Sequence, residues 1–523
     1  MARTTSSPAA LISPELARSE RAVAPADLIA VPEHAPFSKA WLVRVVLAPF
    51  AVVLPFVIAA WPLIIRQFNP GRGAFDSINF HEPVIRTFAA DWPAVDLSNY
   101  LSATTPGYHL LLAFVARFLS DDSVALQLVG SLVTVLLLWT LCASLSLRSG
   151  PLRGILYSLP VACSMYVFFS GVWMLPDNAG WLGVLAVMLF SLRRKVDAWT
   201  YVGAGLALAL VVFVRQIHLW VAAPLAVACW LGPARMAFAN LPGRAKLRGM
   251  VSAQGLRELF VADFQSRVMR SIWCLLAVLP AVLVVAYFYR IWDGLTPPVF
   301  QGLYHGGNPS TTAFMLALIG LYSPFFAGTL LPSFMDLVRN NRLMLVLAVV
   351  IAVMVVVLCD TTFSREQGRW TGVWDLVKYA PYVGHVSPVM LGLACVGAVA
   401  LVCWLMALPQ REAVVFVVAL TAFTTAQGAS FQLWQRYNEP FLLMLMALLA
   451  ARCVPMAGQT PVARLSRGLA LVGPAALAVA FAAITAWVLL NDKPADFYDF
   501  KLDSRTTDFV RGVPIELIPQ PRK

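Results

Sequence analysis

The chain is 523 residues long, 59% hydrophobic and only 13% charged, with a net charge of +12. A soluble domain carries about 25% charged residues, so folding in water is excluded as a home for this much apolar surface, and lipid is the solvent that fits. The positive charge does not mark nucleic acid either: Lys and Arg cluster in short loops between apolar runs, with no basic stripe interleaved with aromatics.

Residues 1–40, rich in Ala, Ser, Pro and Arg, hold no short apolar core and read as a disordered cytoplasmic tail, not a cleavable signal. Apolar runs then follow near 41–65, 123–147, 152–171, 178–192, 198–214, 216–232, 271–290, 312–332, 343–359, 386–407, 412–429, 438–453 and 467–490. Several fall short of the roughly 20 residues a straight crossing needs. The expected fold is all-α: a polytopic membrane protein with about 13 transmembrane helices between residues 41 and 490 and a large first outer loop, 66–122.

Arg148 and Arg153, Arg193 to Lys195, the basic stretch 233–270, Arg339 and Arg342, Arg411, and Arg452 to Arg467 all fall on one side in this topology, the cytoplasmic one. The segment 106–119 is apolar but only fourteen residues long, and as a crossing it would invert every later loop. It therefore reads as a helix lying on the outer surface. The tail 491–523 also falls outside. The eight cysteines form no C-x-x-C pair, so neither a disulfide framework nor a zinc site is signalled.

Five of the six histidines and most of the acids fall in or beside the outer segments. Ionised groups avoid lipid in any membrane protein, yet a transporter more often places some of them at mid-membrane. The contrast favours an outward-facing active site.

The first outer loop concentrates this chemistry. Asp76, His81 and Glu82 lie within seven residues, just past the first span. A carboxylate at the bilayer edge suits a general base that takes the proton of an acceptor hydroxyl while a lipid-borne sugar is attacked; the plain alternative is a solvated loop whose acids do nothing. Thr104-Thr105-Pro106-Gly107-Tyr108 then stops one element and starts another, and Thr104 or Thr105 can cap the helix that follows. Arg215, in the turn Phe213–His218, and Arg436, in Gln435–Pro440, each fit a phosphate contact or a snorkelling anchor. The loop 360–385 mixes Arg369 with Trp370 and Trp374, and the loop 291–311 carries His305 before a Gly-Gly-Asn turn.

Taken in order, Asp76, Ile78, Phe80, His81, Pro83, Trp92, Asp96, Thr104, Thr105, Pro106, Gly107 and Tyr108 resemble the first-loop motifs of GT-C-type membrane glycosyltransferases. More narrowly, they resemble the eukaryotic alpha-1,2-glucosyltransferase family that adds the last glucose to the dolichol-linked oligosaccharide. The likeness continues at Phe213, Arg215 and Gln216, loosely at His305, then at Arg369, Trp370 and Trp374, and at Arg436, Tyr437 and Pro440. Departures are the family's second acid, which is replaced by Ser77 or displaced, Asn79 as an insertion, and a longer spacing from Trp92 to Asp96.

The resemblance implies a hexosyltransferase that moves a sugar, glucose by likeness, from a polyprenyl-phosphate donor to a glycan or lipid acceptor on the non-cytoplasmic face. For a bacterial chain the donor would be an undecaprenyl-phosphate sugar and the site would face outward from the plasma (inner) membrane. Asp76 is the expected base, with Glu82 and Asp96 in reserve. His81, Thr105, Tyr108, Arg215, Gln216, His305, Arg369, Arg436 and Tyr437 are the expected substrate-binding residues. No cofactor is called for; a divalent cation is compatible with the acids and His of the first loop, without a specific ligand set. The alternative is a transporter or flippase of lipid-linked sugars.

Overall fold

The computed structural model describes residues 37–193, 195–233, 263–301 and 306–492. Most of the two tails, most of the stretch 233–270, and His305 lie outside the described residues. The named elements of the described residues are all helices, and isolated bridges join Ser364 to Arg369 and Val383 to Val386.

The first apolar run is α1 (Lys39–Ile65). The outer loop follows as α2 (Gly71–Asp76), a π-helical turn (Ser77–His81) and α3 (Glu82–Ala90), then α4 (Gly107–Phe118), the short helix expected over 106–119. Next come α5 (Ser123–Ser149), α6 (Pro151–Cys163), α7 (Met165–Val172), α8 (Asp177–Ser191), α9 (Ala198–Val214) and α10 (Gln216–Leu231). The later helices are α11 (Phe264–Trp292), α12 (Thr311–Asn340), α13 (Arg342–Val357), α14 (Pro388–Ala407), α15 (Gln410–Gly428), α16 (Gln435–Ala450) and α17 (Pro461–Asn491).

Every apolar run thus becomes helix, with one break: the run 152–171 bends by 71° between α6 and α7. The bend falls at Ser164, whose backbone turns extended and whose hydroxyl bonds a buried carboxylate instead of continuing the helix.

Among the described residues, six helices are long and apolar enough to cross a membrane, or seven if the bent pair counts as one span. Of the other apolar runs, α8, α9, α10 and α13 form helices that are apolar but shorter. α16 is short too, at 16 residues. It is the axis of the bundle, buried at every residue from Asn438 to Ala450, so the protein and not the lipid is its solvent, and polar residues at its start are tolerated. The outer helices invert this pattern. α11 exposes Leu275, Leu276, Leu279 and Leu283, and α13 exposes Val346, Val350, Ile351 and Met354. Apolar surface costs about 25 cal/mol per Å² in water, so these faces are compatible with an integral membrane protein.

Close helix crossings use glycine. α12 and α14 meet where a Cβ on Gly320 would overlap the Leu393 carbonyl and one on Gly397 would overlap the Leu316 carbonyl. Lipid offers little drive for helix association, so such small-residue contacts carry it. Gly397→Val should lower the thermal midpoint in detergent by the equivalent of about 1–3 kcal/mol of overpacking; an unchanged midpoint would show that the crossing is not a tight one.

The bundle has two charged ends. At one, Arg411 of α15 donates to the Ser191 carbonyl (3.1 Å) and the Gly232 carbonyl (2.8 Å), and Glu412 lies between Arg452 (3.2 Å) and Arg148 (3.9 Å). Arg148, Arg411 and Arg452, expected on one side from charge alone, do gather at one end. α8 and α16 run away from it, and their other ends meet in the site described next.

Candidate functional site

α1 delivers the chain to Gly71, where α2 starts. Its glycine Gly73 lies so close to the Trp173 ring that a Cβ would overlap it. Trp173 is held in turn by Asn69 (3.0 Å), and the Ser77 hydroxyl accepts from the Met174 backbone N–H (3.1 Å). These contacts fasten α2 against the α7–α8 turn and bring Asp76, the last residue of α2, beside Asp177, the first of α8.

Arg436 joins them. From the start of the central helix it donates to Asp76 through Nη1 and to Asp177 through Nη2 (3.0 Å). The second oxygen of Asp177 accepts from Arg215 (2.5 Å), at the end of α9. The result is an alternating chain, Asp76–Arg436–Asp177–Arg215, built from four elements up to 360 residues apart. Its members differ in exposure. The Asp177 side chain is 5% accessible and Arg215 14%, whereas Asp76 is 35%. Asp177 is the anchor, and Asp76 is the open end.

Tyr437 completes the cluster. Arg215 lies 5.3 Å and Arg436 5.7 Å from its ring centre, cation–π distances. Trp434 stacks on Tyr437 at 5.6 Å and meets Trp370 edge-on at 5.1 Å. A shelf of half-buried aromatic faces therefore leads to the two guanidinium groups. Arg215 Nε and Trp434 Nε1 are buried donors with no acceptor, and such unmet donors are uncommon enough to need a reason.

His81 and His109 stack behind the cluster, Nδ1 to Nε2 at 2.9 Å. Burial pushes the His81 imidazole down to about 3; Asp177 opposes the shift, and Arg436 and Arg215 add to it. His81 is thus neutral near pH 7. The sign follows from linkage: between pH 6.5 and 3 the unfolded chain takes up a proton here that the folded chain refuses, so this residue removes stability as pH falls through that window. His81→Gln should make the decline in thermal midpoint from pH 6.5 to 4 shallower than in the wild type. A parallel decline would show that His81 is not held neutral.

The remaining expected residues divide. Gln216 and Thr105 form a strut beside Arg215: Thr105 N–H donates to Gln216 Oε1 (2.9 Å), Thr105 Oγ1 to the Val212 carbonyl (2.7 Å), and Gln216 Nε2 to the carbonyls of Ala103 (2.9 Å) and Leu295 (2.7 Å). This corrects the capping expectation: α4 has no side-chain cap, and Thr105 instead ties the loop to α9. Tyr108 is buried with its hydroxyl unpartnered, against α5 at Gly130.

Three candidates are used elsewhere. Glu82 accepts from Arg86 (2.7 Å) and from the Ser123 hydroxyl (2.7 Å), tying α3 to the start of α5. Asp96 is exposed and accepts from the Ser98 N–H (2.8 Å), a local turn that lowers its carboxyl below the usual range. Arg369 is buried and pairs with Asp360 (2.7 Å) while donating to the Thr362 carbonyl (2.8 Å), which organises its own loop. Each is satisfied by its neighbours, which removes the reason to recruit it to the cluster. His305 lies outside the described residues.

Asp177 is the member that sequence reasoning did not single out. A second omission sits one turn further along α16, where buried Glu439 accepts from Ser164 (2.6 Å), Tyr322 (2.5 Å) and Gln435 (2.5 Å). That network joins the α6–α7 bend, α12 and the central helix, and so fixes the helix that carries Arg436.

A divalent cation does not fit the cluster. Among the described residues no three His, Cys, Asp or Glu side chains gather as a ligand set, and both oxygens of Asp177 are taken by arginines. The chain matches no protein-family model and no curated relative.

Proposed function

We propose that the chain is a multi-pass membrane glycosyltransferase of GT-C type, with about thirteen helical passes, that takes a hexose from a polyprenyl-phosphate carrier on the non-cytoplasmic side. The observation that carries this reading is the meeting of Asp76, Arg436 and Arg215 at one end of the central helix. A lipid-phosphate sugar presents three things at the membrane edge: a phosphate, a sugar ring and a reactive anomeric carbon. Two guanidinium groups suit the first, the Trp370–Trp434–Tyr437 shelf suits the second, and a partly open carboxylate suits the third.

In this reading the acceptor hydroxyl gives its proton to Asp76 as its oxygen bonds to the anomeric carbon. The bond from that carbon to the phosphate oxygen breaks, and its electron pair leaves with the phosphate, whose new charge Arg436 and Arg215 offset. Inversion at the anomeric carbon is the expected outcome of a single displacement. The acceptor is a glycan or a lipid, glucose is the sugar favoured by resemblance, and the plasma (inner) membrane, with the site on its periplasmic side, is the expected location in a bacterium.

The test is incubation of the purified protein with a panel of polyprenyl-phosphate hexoses and a membrane extract as acceptor, scoring release of the carrier phosphate. Release with one donor is expected. Movement of intact donor across a vesicle membrane, with no release, would turn the assignment to a flippase.

A further inference from the structure

The same cluster contains a competitor for its own substrate, and the inference drawn from it rests on the sugar-transfer reading. Arg436 is doubly engaged: its Nη1 holds Asp76 and its Nη2 holds Asp177. A donor phosphate that takes the Nη1 edge of that guanidinium must displace Asp76. Asp177 is the harder one to displace, since it is buried, gripped by two arginines, and fixed at the start of α8. Asp76 has one arginine, is 35% accessible, and lies directly before the π-helical turn Ser77–His81, a local irregularity that often marks functional positions in helices.

We propose that the Asp76–Arg436 ion pair is a latch that the donor phosphate opens: the phosphate takes the place of Asp76 on Arg436, and the carboxylate so released becomes the base. Arg215, whose Nε–H has no acceptor, supplies a second grip on the phosphate without giving up Asp177.

The charges are consistent with this sequence. Two arginines and two aspartates sum to zero, and a phosphodiester donor brings one negative charge. When Asp76 takes the acceptor's proton, it becomes neutral as the departing phosphate gains the second negative charge. The total stays at minus one throughout, so no charge has to enter or leave a low-dielectric site during the chemical step. When the carrier phosphate diffuses away, Asp76 loses its proton to water and pairs with Arg436 again. With no donor present, the base stays masked.

The latch predicts an effect opposite to the ordinary one for a substrate-binding residue. Asp76→Asn removes the competitor, so undecaprenyl phosphate, carrying no sugar, should bind the variant in nanodiscs roughly three- to tenfold tighter than the wild type, the scale of losing competition from a partly exposed ion pair. Asp91→Asn, which removes an exposed acid from the same loop, should leave affinity unchanged. Asp76→Ser repeats the measurement if the Asn variant loses its thermal transition. Equal or weaker binding by the Asp76 variants, or equal tightening by Asp91→Asn, would overturn the latch and leave the sugar-transfer reading standing. Failure of undecaprenyl phosphate to bind any form, wild type included, would sink both.

Discussion

Arg436→Ala should be among the most damaging single substitutions in the chain, destabilising the fold by about 3–5 kcal/mol and lowering sugar transfer by at least about 10²–10³-fold. The stability cost arises because Asp177, almost wholly buried, would keep only Arg215, and Asp76 would lose its partner. The catalytic cost arises because the leaving phosphate would lose the guanidinium nearest the base. Arg436→Lys separates the two. A single ammonium keeps the charge but not the two-pronged reach to Asp76 and Asp177, so stability should recover in large part and transfer only slightly. Thermal midpoints in detergent and carrier-phosphate release provide the readouts. An alanine variant with wild-type midpoint and rate would show that the cluster neither holds the fold nor binds donor.

Asp76→Asn should have the opposite profile: transfer down by about 10²–10⁴-fold, the usual contribution of a general base, with stability changed by no more than about 1 kcal/mol because the pair is partly exposed. The contrast with Arg436→Ala separates a base from a structural charge. A loss of stability as large as that of Arg436→Ala would place Asp76 among the structural charges, and retained transfer would remove it from the chemistry.

The fold was legible where lipid dictates it. Thirteen apolar runs became helices because an unpaired backbone is intolerable in hydrocarbon, and fourteen residues with His109 and Arg117 became a separate short helix. The bend at Ser164 was less legible. Pro160, one turn earlier, is a local hint of a break, but the partner of the Ser164 hydroxyl, Glu439, lies 275 residues away. Nor does sequence reveal that α16 is buried all round, since an apolar helix facing lipid and one facing protein read alike.

The site was legible in part for a similar reason. Asp76, Arg215 and Arg436 stood out because charges at the ends of apolar runs are costly and few. Asp177 fits that description equally well but looked like one more acid in a short turn; its meaning comes from partners 38 and 259 residues distant. Glu82, expected as a reserve base, carried a local signal of its ion pair. Arg86 follows it at the i,i+4 spacing of a helical ion pair, which already suggested a structural role. Arg369 gave no such warning, because its partner Asp360 comes from the far side of a loop.

The central claim is that Arg436 and Arg215 receive a lipid phosphate beside Asp76. The most direct measurement is a cryo-EM structure of the protein in nanodiscs with undecaprenyl phosphate. The account predicts phosphate density within hydrogen-bonding distance of both guanidinium groups, with Asp76 turned away from Arg436 and Asp177 still in place. Phosphate bound elsewhere in the protein, with the four-residue chain undisturbed, would contradict it.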